Sequence, residues 1–390
     1  MLAGMIERIR GALVGREAAM LAAVERLVSV NSFTDNVGGG NLVGAMLTEM
    51  LTALPGVSVR ALPSERYAAH LVASTRAAEQ SAEGCVAIVG HLDTVFPPGA
   101  FEGFSVEGGI ARGPGVLDMK GGLVVAIEAL RALTVVDLLE RIPLRFVIVS
   151  DEEVGSPESQ AILRRELAGA VCALTLEAGR AADRVITARK GTGAVKVVAT
   201  GRAAHAGNAH QQGANAIWAL SRFIDRAQGL TDYEAGVTVN VGKVSGGQGK
   251  NTVPEQAEAL VDFRFVKIAD GEATFARLVE AGCAAAESLP GTTVTVTGGP
   301  ARMPLERTEA NIALYREYAA HAKAAGLGDG EAPLLGGGSD ASTTAAMGIP
   351  SIDGLGPRGT GFHTRDELIE AASLVPKAEA MAAFLAERRR

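Results

Sequence analysis

CVAIVGHLDTVFPPG, residues 85–99, is an apolar run that ends in a histidine and an aspartate. Cys85-Val86-Ala87-Ile88-Val89 is short and continuously apolar, which reads as a buried strand. A core strand has no reason of its own to finish on His91 and Asp93. Residues two apart in a strand share a face, so the two side chains project together at the strand's carboxyl end. A carboxylate there can hold one ring nitrogen of the histidine and aim the other at a metal ion. The plainer alternative is a capped strand end followed by a polar turn. The rest of the chain decides between them.

Outward from this strand, short apolar runs alternate with helical patterns between about Val57 and Gly191. LRFVIVSDEE (144–153) and VCALTLEAG (171–179) read as further core strands; MKGGLVVAIEALRAL (119–133) and ESQAILRREL (158–167) carry helical spacing. That alternation predicts an α/β layer with a mixed, largely parallel sheet covered on both faces. Ligands of such sheets collect beyond the carboxyl ends of the strands, where the polar residues fall. From about Gly193 to Pro300 the pattern changes to strand (193–201), helix (215–228), two strands (236–246 and 257–266), helix (272–288) and strand (292–299). The order β-α-β-β-α-β predicts a ferredoxin-like split unit, with helices on one face of an antiparallel sheet. The α/β character then returns. The chain therefore divides into a larger domain, residues 1–190 and 300–390, and a smaller inserted one, residues 191–299. Gly191, Gly193, Gly298 and Gly299 are placed at the two crossings, where glycine would permit hinge-like φ/ψ changes.

The chain has 390 residues, of which 47% are hydrophobic and 21% charged, with a net charge of −7. That balance points away from nucleic acid and from anionic membranes. No apolar run approaches the ~18 residues of a membrane span. The N-terminal stretch mixes Glu and Arg into an amphipathic helix, unlike a secretory leader. Cys85, Cys172 and Cys283 show no metal-type spacing and read as reduced, buried thiols of a cytoplasmic protein.

Further polar residues share the placement of His91 and Asp93. Asp118 lies in GPGVLDMKGG (113–122) just before a helix, where alone it would be a helix N-cap. Asp151, Glu152 and Glu153 follow the strand LRFVIV; adjacent carboxylates repel unless cations neutralise them. Glu177 ends VCALTL, and His363 sits in the glycine-rich loop GTGFHTRDE (359–367). Each has an ordinary explanation in isolation. Together, two histidines and several carboxylates at strand ends suit zinc or cobalt. A carboxylate shared by two ions would hold them ~3.5–4 Å apart.

The set GHLDTVFP, GPGVLDMKGG, SDEEVGS, LEAG, GRAAHAG (201–207), GGGSDAS (336–342) and GFHTRDE, in this order, resembles a known family. It is the dizinc exopeptidase and amidohydrolase family that includes glutamate carboxypeptidase, acetylornithine deacetylase and succinyl-diaminopimelate desuccinylase. The phrasing GHLDTVFP and EAGR…TARKG is closest to the glutamate carboxypeptidase branch. The resemblance implies that His91 and Glu177 bind one Zn2+, that Glu153 and His363 bind the other, and that Asp118 bridges them, with Co2+ or Mn2+ as alternatives. It implies that Asp93 orients His91 and that Glu152 is the general base. It implies that His205 of GRAAHAG stabilises the oxyanion from the partner subunit, and that Asn251 and Arg264 contact the substrate. The inserted unit matches the family's dimerisation domain, so a homodimer is expected. The substrate would be an N-acyl amino acid or short peptide, cleaved by a carboxypeptidase-like hydrolase or by a deacylase. A non-catalytic peptide- or amino-acid-binding protein on the same fold is the reading from a different class.

Overall fold

A computed structural model describes residues 2–80 and 84–389. The chain forms two compact units: Met1–Ala188 with Arg307–Leu334 and Ser339–Arg390, and Arg189–Glu306 with Leu335–Gly338.

The first unit is built on a six-stranded sheet. Its spatial order is Val57–Leu62, His70–Thr75, Leu144–Val149, Val86–His91, Cys172–Thr175 and Ser351–Ile352. The last four strands pair in parallel, and the first two add by antiparallel pairing at one edge. All residues of Val86–His91 are buried, because both faces are covered. Val86 and Ile88 pack with Phe146, Ile148 and Leu174 on one face. Cys85, Ala87 and Val89 pack with Val147, Val149 and Leu163 on the other. Two-sided burial is why the sequence reads as a continuous apolar run there. Truncating a central residue such as Ile88 to alanine would cost about 2–5 kcal/mol.

Ile9 and Leu13 of helix Leu2–Leu13, Met20 and Leu27 of Glu17–Val28, Leu123 and Leu130 of Gly121–Val135, and Met381 and Phe384 of Leu374–Ala386 are buried in the larger of the two cores. Helix Gly121–Val135 starts unusually close to the sheet: a Cβ at Gly122 would run into the Leu176 carbonyl oxygen. Glycine at that position lets the turn carrying Asp118 lie against the strand end carrying Glu177. A small antiparallel ribbon, in the order Gly359–Thr360, Leu368–Glu370, Ile110–Arg112 and Ser105–Glu107, joins the chain around His363 to the chain preceding Asp118.

The second unit has strands Gly191–Thr200, Thr238–Gly246, Gln256–Phe265 and Thr293–Arg302 and helices Ala216–Gln228 and Ile268–Glu287, in the chain order β-α-β-β-α-β. The sheet is antiparallel, with Gly191–Thr200 and Gln256–Phe265 at its centre. Alternate residues of Gly191–Thr200 are buried, and Leu220, Phe223, Leu278 and Ala281 of the helices join Phe263 and Phe265 in one core. Asn215 caps the first helix by accepting the Trp218 N–H at 2.9 Å.

Two expectations fail here. Gly191, Gly193, Gly298 and Gly299 lie inside strands, and the crossings between units fall elsewhere. Gly191 and Gly193 are needed for space, since a Cβ at either would enter the ring of Phe265 or Phe263. Cys85 and Cys172 are buried, but Cys283 is exposed on helix Ile268–Glu287, whose buried stripe passes through Leu278, Ala281, Gly282 and Ala285 instead. Among the described residues, no helix is long and apolar enough to cross a membrane.

Candidate active site

Three neighbouring parallel strands of the first unit end at the same edge of the sheet. Val86–His91 finishes on His91, Leu144–Val149 runs into Asp151–Glu153, and Cys172–Thr175 runs into Glu177. Asp118 comes from the short turn Val116–Lys120 ahead of helix Gly121–Val135, with a cis peptide to Met119. His363 comes from the loop between Gly359–Thr360 and Leu368–Glu370, at φ +63°. A left-handed non-glycine residue is uncommon, and such conformations cluster at functional sites.

These side chains converge. His91 Nε2 lies 3.2 Å from Asp118 Oδ1 and 3.8 Å from Glu177 Oε1. His363 Nε2 lies 3.3 Å from Asp118 Oδ2 and 3.1 Å from Glu153 Oε2. Each oxygen of Asp118 therefore faces a different histidine, each histidine is flanked by a different glutamate, and the cluster has two halves sharing one carboxylate. Ligand atoms of His91, Asp118 and Glu153 lie within 4.8 Å of one another, as do those of His91, Glu152 and Glu177. The first grouping cuts across the two halves, and the pairwise contacts separate it: Glu177 belongs with His91 and Glu153 with His363, while the second grouping places Glu152 within reach of the first half.

Buried Glu153 Oε1 and Glu177 Oε1 make no hydrogen bond. Burial pushes the Glu153 carboxyl up to about 7, against the opposing hydrogen bond from His363. Burial, together with the charges of Asp118 and Glu152, pushes Glu177 well above the carboxylate range. Burial opposes ionisation of Asp118, but the two histidines overcome it and hold the carboxyl well below its usual range. Burial likewise opposes protonation of His91, and hydrogen bonds to Asp118 and Asp93 outweigh it, so its pKa is raised. His363 is raised to about 10 by its hydrogen bonds to Asp118 and Glu153. Carboxylates packed this densely ionise together only with cations among them. Orphaned carboxylate oxygens, a two-faced aspartate and imidazole nitrogens are a donor set that fits two divalent ions of the zinc type. The side chain of His363 is 47% exposed against 1% for His91, so the cluster is more open on the His363 side.

Asp93 lies just beyond the strand and meets two sets of partners. His91 Nδ1 is 3.0 Å from the Asp93 backbone oxygen and 3.4 Å from Asp93 Oδ1. The Asp93 carboxylate also accepts from Thr34 Oγ1 at 2.9 Å and from the backbone N–H groups of Glu152 and Glu153 at 3.3 and 3.2 Å. One buried side chain thus aims the histidine and fixes the turn that carries both glutamates.

His205, Asn251 and Arg264 lie in the second unit. His205 Nδ1 accepts the N–H groups of Gly207 and Asn208, both at 3.1 Å, which leaves the neutral ring's proton on Nε2, ready to be donated. Asn251 is adjacent: its carbonyl accepts from Ala206 N at 2.9 Å, and Thr252 pairs with His205. Arg264 is held in a fork by Asp262, with Nε–Oδ1 and Nη2–Oδ2 both 2.9 Å, and its Nη1 donates to Gly336 O at 3.4 Å.

Two residues that brace the cluster do not stand out in the sequence. Thr34 sits in NSFTD, far from any recognised motif, and no local signal marks it. Glu367 is buried and accepts three backbone N–H groups of the Asp118 loop; it closes the quoted motif GFHTRDE, which could have drawn attention to it.

Residues 87–387 match the model described as Peptidase family M20/M25/M40. The chain is 28% identical over 379 residues to carboxypeptidase G2 of Pseudomonas sp. (strain RS-16), covering 96% of this chain and 90% of that one. It is 30% identical over 198 residues to acetylornithine deacetylase of Myxococcus xanthus, covering 47% and 50% of the two chains. Its fold is similar to the crystal structure of aminopeptidase PepT from Bacillus cereus, with a TM-score of 0.81, 24% identity and coverage of 95% and 98%.

Proposed function

Because the chain belongs to Peptidase family M20/M25/M40, we propose that it is a dizinc hydrolase that cleaves the amide bond to a C-terminal or N-acylated amino acid, a reading supported by its similarity to a protein named carboxypeptidase G2. The observation that carries this reading is Asp118, whose two oxygens face His91 and His363 at 3.2 and 3.3 Å. In this account His91 and Glu177 would hold one ion, Glu153 and His363 would hold the other, and Asp118 would serve both. Bound ions of this kind lower the pKa of water toward neutrality and polarise a carbonyl.

The chain's own residues do the rest. Glu152 is half-buried beside His91 and Glu177. It takes a proton from the attacking water as the new C–O bond forms, and returns it to the nitrogen as the C–N bond breaks. Asp93 holds Glu152 and His91 in register through the contacts above. The Nε2–H of His205 donates to the oxyanion, reaching it across a homodimer formed by residues 191–299. Asn251 and Arg264 bind the substrate's carboxylate region, with Asp262 fixing the plane of the Arg264 fork. The protein works in the cytoplasm on small acylated amino acids or short peptides.

The deacylase reading is kept because acetylornithine deacetylase is also a relative. A hydrolysis screen over N-acyl amino acids and dipeptides, with Zn2+ or Co2+ added and with chelator, tests both. Preference for acidic C-terminal residues supports the carboxypeptidase form, and preference for the acyl group supports the deacylase. No metal-dependent hydrolysis of any member would sink the proposal.

A further inference from the structure

The Glu367 side chain is fully buried. Its Oε1 accepts the N–H groups of Leu117 and Asp118, and its Oε2 accepts that of Gly115, all at 2.9 Å. Asp118 is thus gripped at both ends, by Glu367 at its backbone and by the two histidines at its carboxylate. Glu367 lies four residues after His363, immediately before a strand, Leu368–Glu370, registered on the chain that leads to Asp118, with Leu368 opposite Arg112 and Ile369 opposite Ala111. One carboxylate therefore ties together two loops that are about 250 residues apart in the chain, each contributing a ligand position.

We propose that Glu367 is a positioning residue for the metal pair: it sets the Asp118 loop against the His363 loop, so that both ions bind tightly only while its carboxylate is intact. The inference rests on the two-metal reading above. Three N–H groups directed at one side chain need two acceptor oxygens. Glutamine keeps the length but has one acceptor oxygen, and its NH2 must face either Gly115 N–H or the pair Leu117 and Asp118. The loop then shifts at the residue whose two oxygens must reach two ions. Partners that orient metal ligands in this way typically change metal affinity by about 10–100-fold when lost.

The test uses full-length metal-free wild type, Glu367→Gln and Glu367→Ala, titrated with Zn2+ against a chromophoric chelator. Circular dichroism melts of the same metal-free samples follow the fold. Wild type is expected to take two ions per chain. Glu367→Gln is expected to bind them at least about tenfold more weakly while still folded, with part of its hydrolysis recovered in excess Zn2+. If Glu367→Ala does not fold, Glu367→Gln decides alone. A Glu367→Gln affinity within about threefold of wild type, well inside that range, overturns the proposal whatever the melting temperature does, because Glu367 would then serve the fold only. A wild type that binds no metal overturns the two-metal reading itself. A wild type with two ions and an unaffected variant leaves that reading standing and removes only the role of Glu367.

Discussion

Replacing Asp93 with asparagine changes one atom and should disturb the site from beneath. Asp93 Oδ2 accepts from Thr34 Oγ1 and Glu153 N, and Oδ1 accepts from Glu152 N and faces His91 Nδ1. The residue is 1% exposed, so water does not replace a lost partner. Asparagine offers one acceptor oxygen. Its NH2 must point either at Glu152 N–H or at Glu153 N–H; the Thr34 hydroxyl can rotate to accept, but a backbone N–H cannot. One buried donor is left facing a donor, at about 1–3 kcal/mol, and the surviving bonds lose the strength a charge adds, about 1 kcal/mol each. A stability loss of about 3 kcal/mol follows. Because the affected turn carries Glu152 and Glu153, a further 10–100-fold loss in kcat/KM, or about 1.4–2.7 kcal/mol, is expected. The assay is kcat/KM on an N-acyl amino acid at verified metal content, with urea denaturation of the same preparations. Thr34→Val, which removes one bond, should cost about 1–2 kcal/mol and less activity. Unchanged kcat/KM and stability in Asp93→Asn would mean that something other than Asp93 holds the turn.

Three further outcomes are expected. Glu128, buried between Arg16 and Arg131 with contacts of 2.8 and 2.7 Å, has its pKa lowered: burial raises it, but the two arginines prevail. Its contribution is therefore complete above the unfolded value near 4.5 and is lost as pH falls through the lower folded value. Glu128→Gln should be destabilised by about 2–4 kcal/mol at neutral pH, and urea melts should show the gap from wild type closing in acid. Arg264→Ala should cost about 1.5–3 kcal/mol in kcat/KM on a substrate with a free carboxylate and little on its C-terminal amide; equal losses on both would rule out carboxylate recognition. Mixing His205→Ala with Glu152→Gln subunits should restore some hydrolysis, because one hybrid site keeps both residues; no recovery in verified heterodimers would place His205 in its own chain's site.

The parallel sheet and the split antiparallel unit were legible because each produces its own periodicity: continuous apolar runs where both faces are covered, alternation where one is. The positions His91, Asp118, Glu152, Glu153, Glu177 and His363 stood out because each is a polar residue at the end of a recognisable strand or in a glycine-rich turn. Their division into two halves around Asp118 depends on distances that no spacing encodes. The same holds for the contacts that brace them. Thr34 meets Asp93 across 59 residues and Glu367 meets the Asp118 loop across about 250, and no local spacing encodes either pairing. Glycine was read as freedom at Gly191 and Gly193, whereas the structure uses the missing Cβ to seat Phe265 and Phe263. A sequence shows that a glycine is present but not which of its two properties is in use. Cys283 was misplaced for a related reason: it lies in a mostly apolar stretch, but on the side of its helix away from the buried stripe.

The most direct test of the central claim is the turnover of Glu152→Gln measured on protein shown to hold two metal ions per chain. The account places Glu152 beside the ions as the group that moves the proton, and not as a ligand. Metal content should therefore match wild type while kcat falls by about 10²–10⁴-fold. A variant with full metal content and turnover within about tenfold of wild type, below that range, would contradict the account.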